Sequence, residues 1–196
     1  MEEKVAAIIP VPQNLLIPVD SNMFCNLIEK MDGVEMFRVQ SYSCEHAKNT
    51  GINLALKGDF THLFILDADV APPDDALERL LSHNKDFVAG IIPVFKEQNG
   101  KTIINWDIVI KNGPQTLPET LFLAGDAGGS TLLVKREVFE AIGWPWFKTT
   151  MTPEGMKERN DSHFSRKATE AGYELWIDPT IRCQHYQYID LLGLLD

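Results

Sequence analysis

The chain has 196 residues, of which 44% are hydrophobic and 23% charged, and its formal net charge at pH 7 is −10. This length allows one domain with a substantial core, and the composition argues against a disordered chain. The acidity makes general nucleic-acid binding a poor fit, because phosphate contacts need clustered Lys and Arg. It also makes unaided binding of an anionic nucleotide unfavourable, which favours a bridging metal ion.

The three cysteines, Cys25, Cys44 and Cys183, are odd in number and form no Cys-x-x-Cys pair. The sequence therefore indicates neither a structural zinc site nor a disulfide framework. We expect a cytoplasmic protein, since reduced cysteines fit that compartment and we find neither a signal peptide nor an apolar run of membrane-spanning length.

The first part of the chain, residues 1–92, is predicted to be the nucleotide-binding half of a single domain that covers residues 1–196. Strands and helices alternate in it, and turn residues such as Pro and Gly separate them. In chain order the predictions are a strand over Val5–Val11, a helix over Asn22–Met31, a strand over Val34–Gln40, a helix over Glu45–Lys57, a strand that ends at Asp67, a helix over Asp74–His83 and a strand over Phe87–Ile92.

The second part, residues 93–196, is predicted to be a mixed half of the same domain, and its alternation is weaker. The predictions are strands of a smaller mixed sheet over Thr102–Ile110 and Leu121–Ala124, a strand over Ser130–Val134, a helix over Arg136–Ile142, a loop over residues 144–159, a helix from Asn160 to Ala171, and short strands over Tyr173–Ile177 and Thr180–Gln184. The predicted class is α/β, a Rossmann-like three-layer α/β/α sandwich with a mixed, mostly parallel central sheet.

The most informative segment is the apolar run Leu63–Leu66, which is followed by Asp67, Ala68 and Asp69. The run shows no polar alternation, which is typical of a central parallel strand. Ligands of such sheets bind beyond the carboxyl ends of the strands. In an extended segment Asp67 and Asp69 point the same way, and two close carboxylates favour Mg²⁺ or Mn²⁺ between them. The alternative is a chance pattern among 28 acidic residues, or the start of a turn.

Three sequence blocks together resemble glycosyltransferases of the GT-A fold, most closely the inverting family 2. They are LDADVAPPDDAL, AGGSTLLVKREVFEAIGWPWF and NDSHFSRKATEAGYELWIDPTIRCQH, and the resemblance covers roughly residues 45 to 186. It implies the GT-A fold, an Asp-x-Asp motif that serves metal and nucleotide, and transfer of a sugar from a nucleotide-sugar donor. It also implies that residues 93–196 form the acceptor and catalytic half.

The resemblance also implies roles for individual residues. Asp69 would be a direct metal ligand, Asp67 would contact the ribose or a metal-bound water, and His185 would complete a metal set that favours Mn²⁺ over Mg²⁺. Asp161 would be the general base, although relatives often have a Glu where this chain has Asn160. Without the resemblance, a lone His is more often a partly buried polar residue, and a carboxylate in the first turn of a helix is stabilised by the helix dipole.

The expected donor site has further members, with a uridine nucleotide by analogy only. Gly128 and Gly129 would allow a ligand or a neighbouring strand to approach the backbone closely, and Asp126 is placed to meet the donor sugar or the acceptor. For Lys48 and Asn49 a solvated helix face is nearly as good an interpretation. The predicted nucleotide-sugar contacts are Pro10, Val11, Gln13, Lys48, Asn49, Asp67, Ala68, Asp69, Gly128 and Gly129.

The sequence hypothesis is thus a metal-dependent inverting glycosyltransferase that uses a carbohydrate or other hydroxyl acceptor. Two alternatives stay open. One is a non-catalytic module that binds a nucleotide sugar or carbohydrate. The other is a sugar nucleotidyltransferase, which the Pro-rich first loop disfavours because such enzymes need a Gly-rich, basic loop there.

Overall fold

The structure is a computed structural model that describes residues 3–13, 16–98, 101–111 and 116–187. Its helices are α1 (Val19–Ile28), α2 (Cys44–Ala55), α3 (Ala76–Ser82), α4 (Arg136–Ile142) and α5 (Asn160–Glu170). Its strands are β1 (Val5–Pro12), β2 (Val34–Ser41), β3 (His62–Leu66), β4 (Val70–Ala71), β5 (Phe87–Ile91), β6 (Pro93–Gln98), β7 (Lys101–Trp106), β8 (Ile108–Ile110), β9 (Phe122–Ala127), β10 (Thr131–Lys135), β11 (Thr150–Thr152), β12 (Gly155–Glu158), β13 (Leu175–Arg182) and β14 (Gln184–His185).

Across the described ranges, an eight-stranded sheet in the order β2-β1-β3-β10-β5-β13-β9-β8 forms the centre of the fold. Strands β9 and β10 run opposite to the other six. Helices α1 and α3 pack on one face of the sheet, and α2, α4 and α5 on the other, each burying its apolar side against the strands. The predicted three-layer α/β/α class with a mixed, mostly parallel sheet is confirmed.

Strand β3 is fully buried at Leu63–Leu66, as its apolar run predicts. It is parallel to β1 but antiparallel to β10, so only one of its two neighbours is parallel. Burial on both faces explains the apolar run, because helices cover both sides of the sheet. Such a run of apolar residues does not indicate whether a neighbouring strand is parallel or antiparallel.

The elements of the second part differ most from the prediction. The predicted strand Thr102–Ile110 is divided at Asp107. Before this residue β7 pairs with β6 in a hairpin, and after it β8 pairs with β9 in the main sheet. The strand predicted at Leu121–Ala124 belongs to that main sheet as β9, not to a smaller one. The predicted loop 144–159 contains the hairpin β11–β12, with Gly155 at its turn and a positive φ of 129°.

The two predicted halves share the one central sheet. Strand β10, from the second part of the chain, lies between β3 and β5 of the first part. None of the helices in the part of the chain that the structure describes is long and apolar enough to cross a membrane.

Candidate active site

A group of charged side chains lies where β3 ends. The register of β1 and β3 pairs Ile8 with Ile65, and its continuation by two residues puts Pro10 beside Asp67. The start of α2, the Gly128-Gly129 segment before β10 and the start of α5 meet at the same edge, as the contacts below show. This is the edge at which open α/β sheets bind ligands.

Lys48 lies between two carboxylates at this edge. Its Nζ is 3.1 Å from Asp67 Oδ1 and 3.1 Å from Asp161 Oδ1, and its side chain is only 1% exposed. The predicted alternative, a solvated helix face for Lys48, is therefore wrong. Lys48 lies on the buried side of α2, beside Ala47 and Ile52, and the two carboxylates supply the charge that a buried ammonium needs.

The ionisation of this group follows from burial and charge. Burial alone would lower the pKa of Lys48, but the carboxylates of Asp161 and Asp67 outweigh it and hold the pKa above its usual value. Burial raises the pKa of Asp67 against the lowering effect of Lys48, and Asp161 adds to the rise. Burial, followed by the charge of Asp67, raises the pKa of Cys44 to about 12. Lys48 is therefore a cation and Cys44 a neutral thiol at neutral pH.

Asp67 is held by its neighbours on several sides. Ser130 Oγ donates a hydrogen bond of 2.8 Å to Asp67 Oδ2, and Cys44 Sγ donates to Oδ1 at 3.6 Å. Together with Lys48 these contacts fix the carboxylate at the end of β3. Ser130 and Cys44 were not singled out from the sequence as partners of Asp67.

The two glycines before Ser130 are needed for the close packing of carboxylates. A Cβ on Gly129 would lie 2.1 Å from Asp161 Oδ1 and 2.9 Å from Lys48 Nζ, and one on Gly128 would lie 2.4 Å from Asp107 Oδ2. In the structure, side chains of the protein make the close approach to these glycines, where the sequence led us to expect a ligand or a neighbouring strand.

Asp69 and His185 form a second pair at the same edge. Strand β14 pairs with β4, which places His185 opposite Val70, and Tyr186 N donates to Asp69 O. His185 Nδ1 lies 2.8 Å from the carbonyl oxygen of Pro93, so this nitrogen donates and Nε2 is left for Asp69 Oδ2, 3.7 Å away. The interaction with Asp69 raises the pKa of His185 above its usual value against the effect of burial.

The sequence predicted that the two carboxylates of the Asp-x-Asp motif lie in one extended segment and point the same way. The structure shows that this prediction is wrong. Val70 N donates to Asp67 O, so the chain turns at Ala68 and Asp69. Asp67 therefore faces Lys48, whereas Asp69 faces His185. Within the described ranges, no three side chains of His, Cys, Asp or Glu come together as a metal cluster.

Asn49 has a structural role in the described contacts. Its Oδ1 accepts from the backbone N–H groups of Trp146 and Phe147, and its Nδ2 donates to the carbonyl oxygens of Glu45 and Phe147. These bonds use the hydrogen-bonding capacity of the amide, so we leave Asn49 out of the nucleotide site. They also anchor the aromatic segment, whose Trp146 and Phe147 are buried in the core while Trp144 is exposed.

The other predicted nucleotide contacts lie at the same edge of the sheet. Pro10 and Val11 precede Pro12, the last residue of β1. Gln13 follows that strand, and Ala68 is buried in the turn after Asp67. Gln13 is exposed, whereas Val11 is half-buried.

A further ion pair, between Arg159 and Asp107, lies beside the two glycines and was not predicted from the sequence. Arg159 Nη1 donates to both oxygens of Asp107, at 3.0 and 3.2 Å. Arg159 stands at the N-cap of α5, two residues before Asp161. The pair joins the bend between β7 and β8 to the N-cap of α5, which are far apart in sequence, and no local pattern indicates such a partner.

Sheet order, layers and site position define a Rossmann-like α/β fold of the GT-A type. Among solved structures it is similar to A197 from STIV, with 15% identity, a TM-score of 0.62, and 94% of this chain and 86% of that chain covered. It is also similar to the structure of GalNAc-T7 with UDP, GalNAc and Mn²⁺, with 13% identity, a TM-score of 0.57 and 96% of this chain covered.

The chain spans 44% of the length of that GalNAc-T7 chain. No protein-family model matches the sequence, and no curated protein is similar to it in sequence. At these identities the two structures show the fold alone.

Proposed function

We propose that the protein is a metal-dependent inverting glycosyltransferase, which moves a sugar from a nucleotide-sugar donor to an acceptor hydroxyl. The observation that carries the proposal is that Asp161, held by Lys48, and the pair Asp69 and His185 lie on either side of Asp67, at the ligand-binding edge of a GT-A sheet. Burial, Asp161 and Asp69 all raise the pKa of Asp67. The similarity to a structure that contains UDP, GalNAc and Mn²⁺ supports a uridine nucleotide as the donor.

The pair Asp69 and His185 suits a divalent ion. Two donor atoms bound about 2.1 Å from one ion are about 3 to 4 Å apart, which includes the 3.7 Å between His185 Nε2 and Asp69 Oδ2. The other ring nitrogen of His185, Nδ1, donates a hydrogen bond to the carbonyl oxygen of Pro93, an arrangement typical of metal-binding histidines. Since two protein ligands leave positions open, diphosphate oxygens and water would complete the set. The ion, preferably Mn²⁺, would supply Lewis-acid stabilisation of the leaving nucleotide.

Asp161 is proposed as the general base. Its Oδ1 accepts from Lys48, and its Oδ2 has no hydrogen-bond partner among the described residues. Oδ2 can therefore take the proton of an acceptor hydroxyl. Lys48 fixes the orientation of the carboxylate, and attack from the side opposite the leaving nucleotide inverts the anomeric centre.

The test is release of UDP from a panel of UDP-sugars with and without Mn²⁺, with water as the acceptor. We expect slow, metal-dependent release by the wild type, and a loss of at least about 100-fold in Asp161→Asn, the low end of what a general base contributes. Asp32→Asn, at an exposed position away from the site, should release UDP like the wild type. Binding of a UDP-sugar without any release would favour the non-catalytic module, and release unaffected by Asp161→Asn would remove Asp161 as the base.

A further inference from the structure

A cavity of about 590 Å³ lies between α2 and the aromatic segment, residues 144–148, and has no role in the mechanism above. Its volume is within the roughly 300–1,000 Å³ of ligand sites. Asp69, Asp161 and His185, the side chains proposed for the metal and the base, do not line it. The lining residues are Glu45, His46, Asn49, Thr50, Asn53, Trp144, Pro145 and Lys148.

One wall of the cavity carries an exposed aromatic ring on a fixed backbone. Trp144 is 74% exposed. Lys167 Nζ donates to the carbonyl oxygens on either side of this residue, those of Gly143 and Pro145, at 2.7 and 3.0 Å. Asn49 binds the backbone groups that follow, as described above. Because the backbone is held on both sides, a ligand that covers the ring orders little of the chain.

The opposite wall is polar. Lys48 lies on the buried side of α2, whereas His46, Thr50 and Asn53 follow one another at four and three residues along its other side. Neighbours at this spacing are about 5–6 Å apart, which is close to the width of a six-membered sugar ring. Among the described residues, neither Thr50 nor Asn53 has a hydrogen-bond partner for its side chain. Their hydroxyl and amide groups are therefore available to a ligand.

The charges of the lining residues balance. They include one carboxylate, Glu45, and one ammonium, Lys148. Glu45 Oε2 already accepts a hydrogen bond of 2.7 Å from Thr149 N. A wall of balanced charge favours an uncharged ligand. A phosphate would meet a single cation here, on a chain whose net charge is −10.

An aromatic face opposite a row of hydroxyl and amide groups matches a sugar ring, which has apolar C–H faces and a rim of hydroxyls. We propose that this cavity is a second carbohydrate site, separate from the active site, and that it binds an uncharged sugar ring stacked on Trp144 and hydrogen-bonded to Thr50 and Asn53. The proposal goes beyond the proposed function, because this binding needs neither metal nor nucleotide and lies on the side of α2 opposite to Lys48.

The experiment is an NMR titration of the ¹⁵N-labelled protein, without metal or nucleotide, with methyl glycosides of glucose, galactose, mannose and N-acetylglucosamine. At least one glycoside should shift the indole signal of Trp144 and the amide signals of Thr50 and Asn53, with a Kd in the millimolar range. Glucuronate and glucosamine, which carry charge, should bind more weakly. Uridine and adenosine test whether the ring instead stacks on a nucleobase.

Two positions on opposite walls test the geometry. Trp144→Ala removes the stacking face and should weaken binding at least about tenfold, whereas Trp144→Phe retains a smaller face and should weaken it less. Asn53→Ala should weaken binding about threefold to tenfold. The matched controls are Met151→Ala and Leu54→Ala, at exposed apolar positions that do not line the cavity, and both should bind like the wild type.

The proposal is overturned if no glycoside shifts these signals, if Trp144→Ala and Asn53→Ala both bind like the wild type, or if a nucleoside binds more tightly than every glycoside. Since the ring of Trp144 is exposed, Trp144→Ala should keep the wild-type Tm, so that lost binding is not lost folding. Glycoside binding by a protein that releases no UDP would support this site and contradict the transferase. Release of UDP without glycoside binding would contradict this site alone.

Discussion

At the scale of single residues, the site depends on one buried cation. Lys48 forms ion pairs with two carboxylates, Asp67 and Asp161, that come from different parts of the chain. The sequence suggested a divalent cation between Asp67 and Asp69, but in the structure the cation beside Asp67 is a lysine of the protein, and its second partner is Asp161. In the proposed function, a divalent ion would be bound by Asp69 and His185 instead.

Replacement of Lys48 should therefore affect stability and activity together. Lys48→Met leaves Asp67 and Asp161 facing each other without a cation, and removal of one partner of a buried pair costs about 3–5 kcal/mol. We expect that loss in urea unfolding at pH 7, together with loss of UDP release. Lys48→Arg retains the charge and should recover part of both, although its planar fork fits the space of an ammonium poorly. A Lys48→Met protein within about 1 kcal/mol of the wild type would contradict the buried pair.

Gly129 offers a second test of the same geometry. A Cβ there would overlap Asp161 Oδ1 at 2.1 Å, so Gly129→Ala should displace the base and reduce UDP release sharply, with a stability cost of about 1–3 kcal/mol. The matched control is Gly125→Ala in β9, whose Cβ would lie 3.7 Å from the nearest atom, an ordinary contact. Equal effects of the two alanines on UDP release would show that the space beside Asp161 is not what matters.

At the scale of elements, Asp178 joins α3 to β13. It accepts hydrogen bonds from Thr180 N at 2.8 Å and from His83 Nε2 at 2.9 Å, and Arg79 lies at 3.4 Å. These contacts coincide with the irregular pairing of β13 and β5 between Ile177 and Arg182. Burial alone would raise the pKa of Asp178, but the hydrogen bonds from Thr180 and His83 outweigh it and hold the pKa below its usual 3.8.

The lowered pKa makes a prediction about acid stability. A carboxylate whose folded pKa lies below the unfolded value stabilises the protein above about pH 4, and this contribution is lost as the pH falls through the folded pKa. Asp178→Asn should therefore be less stable than the wild type at pH 7 and 5 by about 1.5–3 kcal/mol, with a smaller difference at pH 3. Urea unfolding at the three values measures it.

The matched control is Asp75→Asn, whose exposed carboxylate faces the same Arg79 at 3.5 Å. An exposed pair contributes about 0–1 kcal/mol, so this variant should stay close to the wild type. A stability difference between Asp178→Asn and the wild type that does not shrink at pH 3 would show that the Asp178 charge is not responsible.

The sequence predicted elements well where burial leaves a pattern. The apolar run at β3, the helix Arg136–Ile142 and the start of α5 at Asn160 agree with the structure. The predicted elements were wrong where strand pairing decides the structure. Examples are the hairpin β11–β12 in the predicted loop and the division of Thr102–Ile110 at Asp107. In the site, the position of Asp67 and Asp69 at a strand end was predictable. The turn between them, and the partners Lys48 and Ser130, depend on contacts that no local pattern records.

At the scale of the whole molecule, one sheet brings segments from both parts of the chain to a single edge. Asp69 comes from the turn after β3 and His185 from β14, and they meet because β14 pairs with β4. The central claim is that this pair holds a divalent ion through which the protein binds a nucleoside diphosphate.

The most direct measurement is the thermal unfolding temperature with UDP, with Mn²⁺, with both and with neither. At ligand concentrations near 100 times Kd, binding adds about 2.7 kcal/mol, which raises Tm by roughly 5–11 °C for a chain of this size. We predict this shift only when UDP and Mn²⁺ are both present, its loss in Asp69→Ala and His185→Ala, and its retention in Asp32→Asn. An equal shift with UDP alone, or an undiminished shift in Asp69→Ala, would contradict the account.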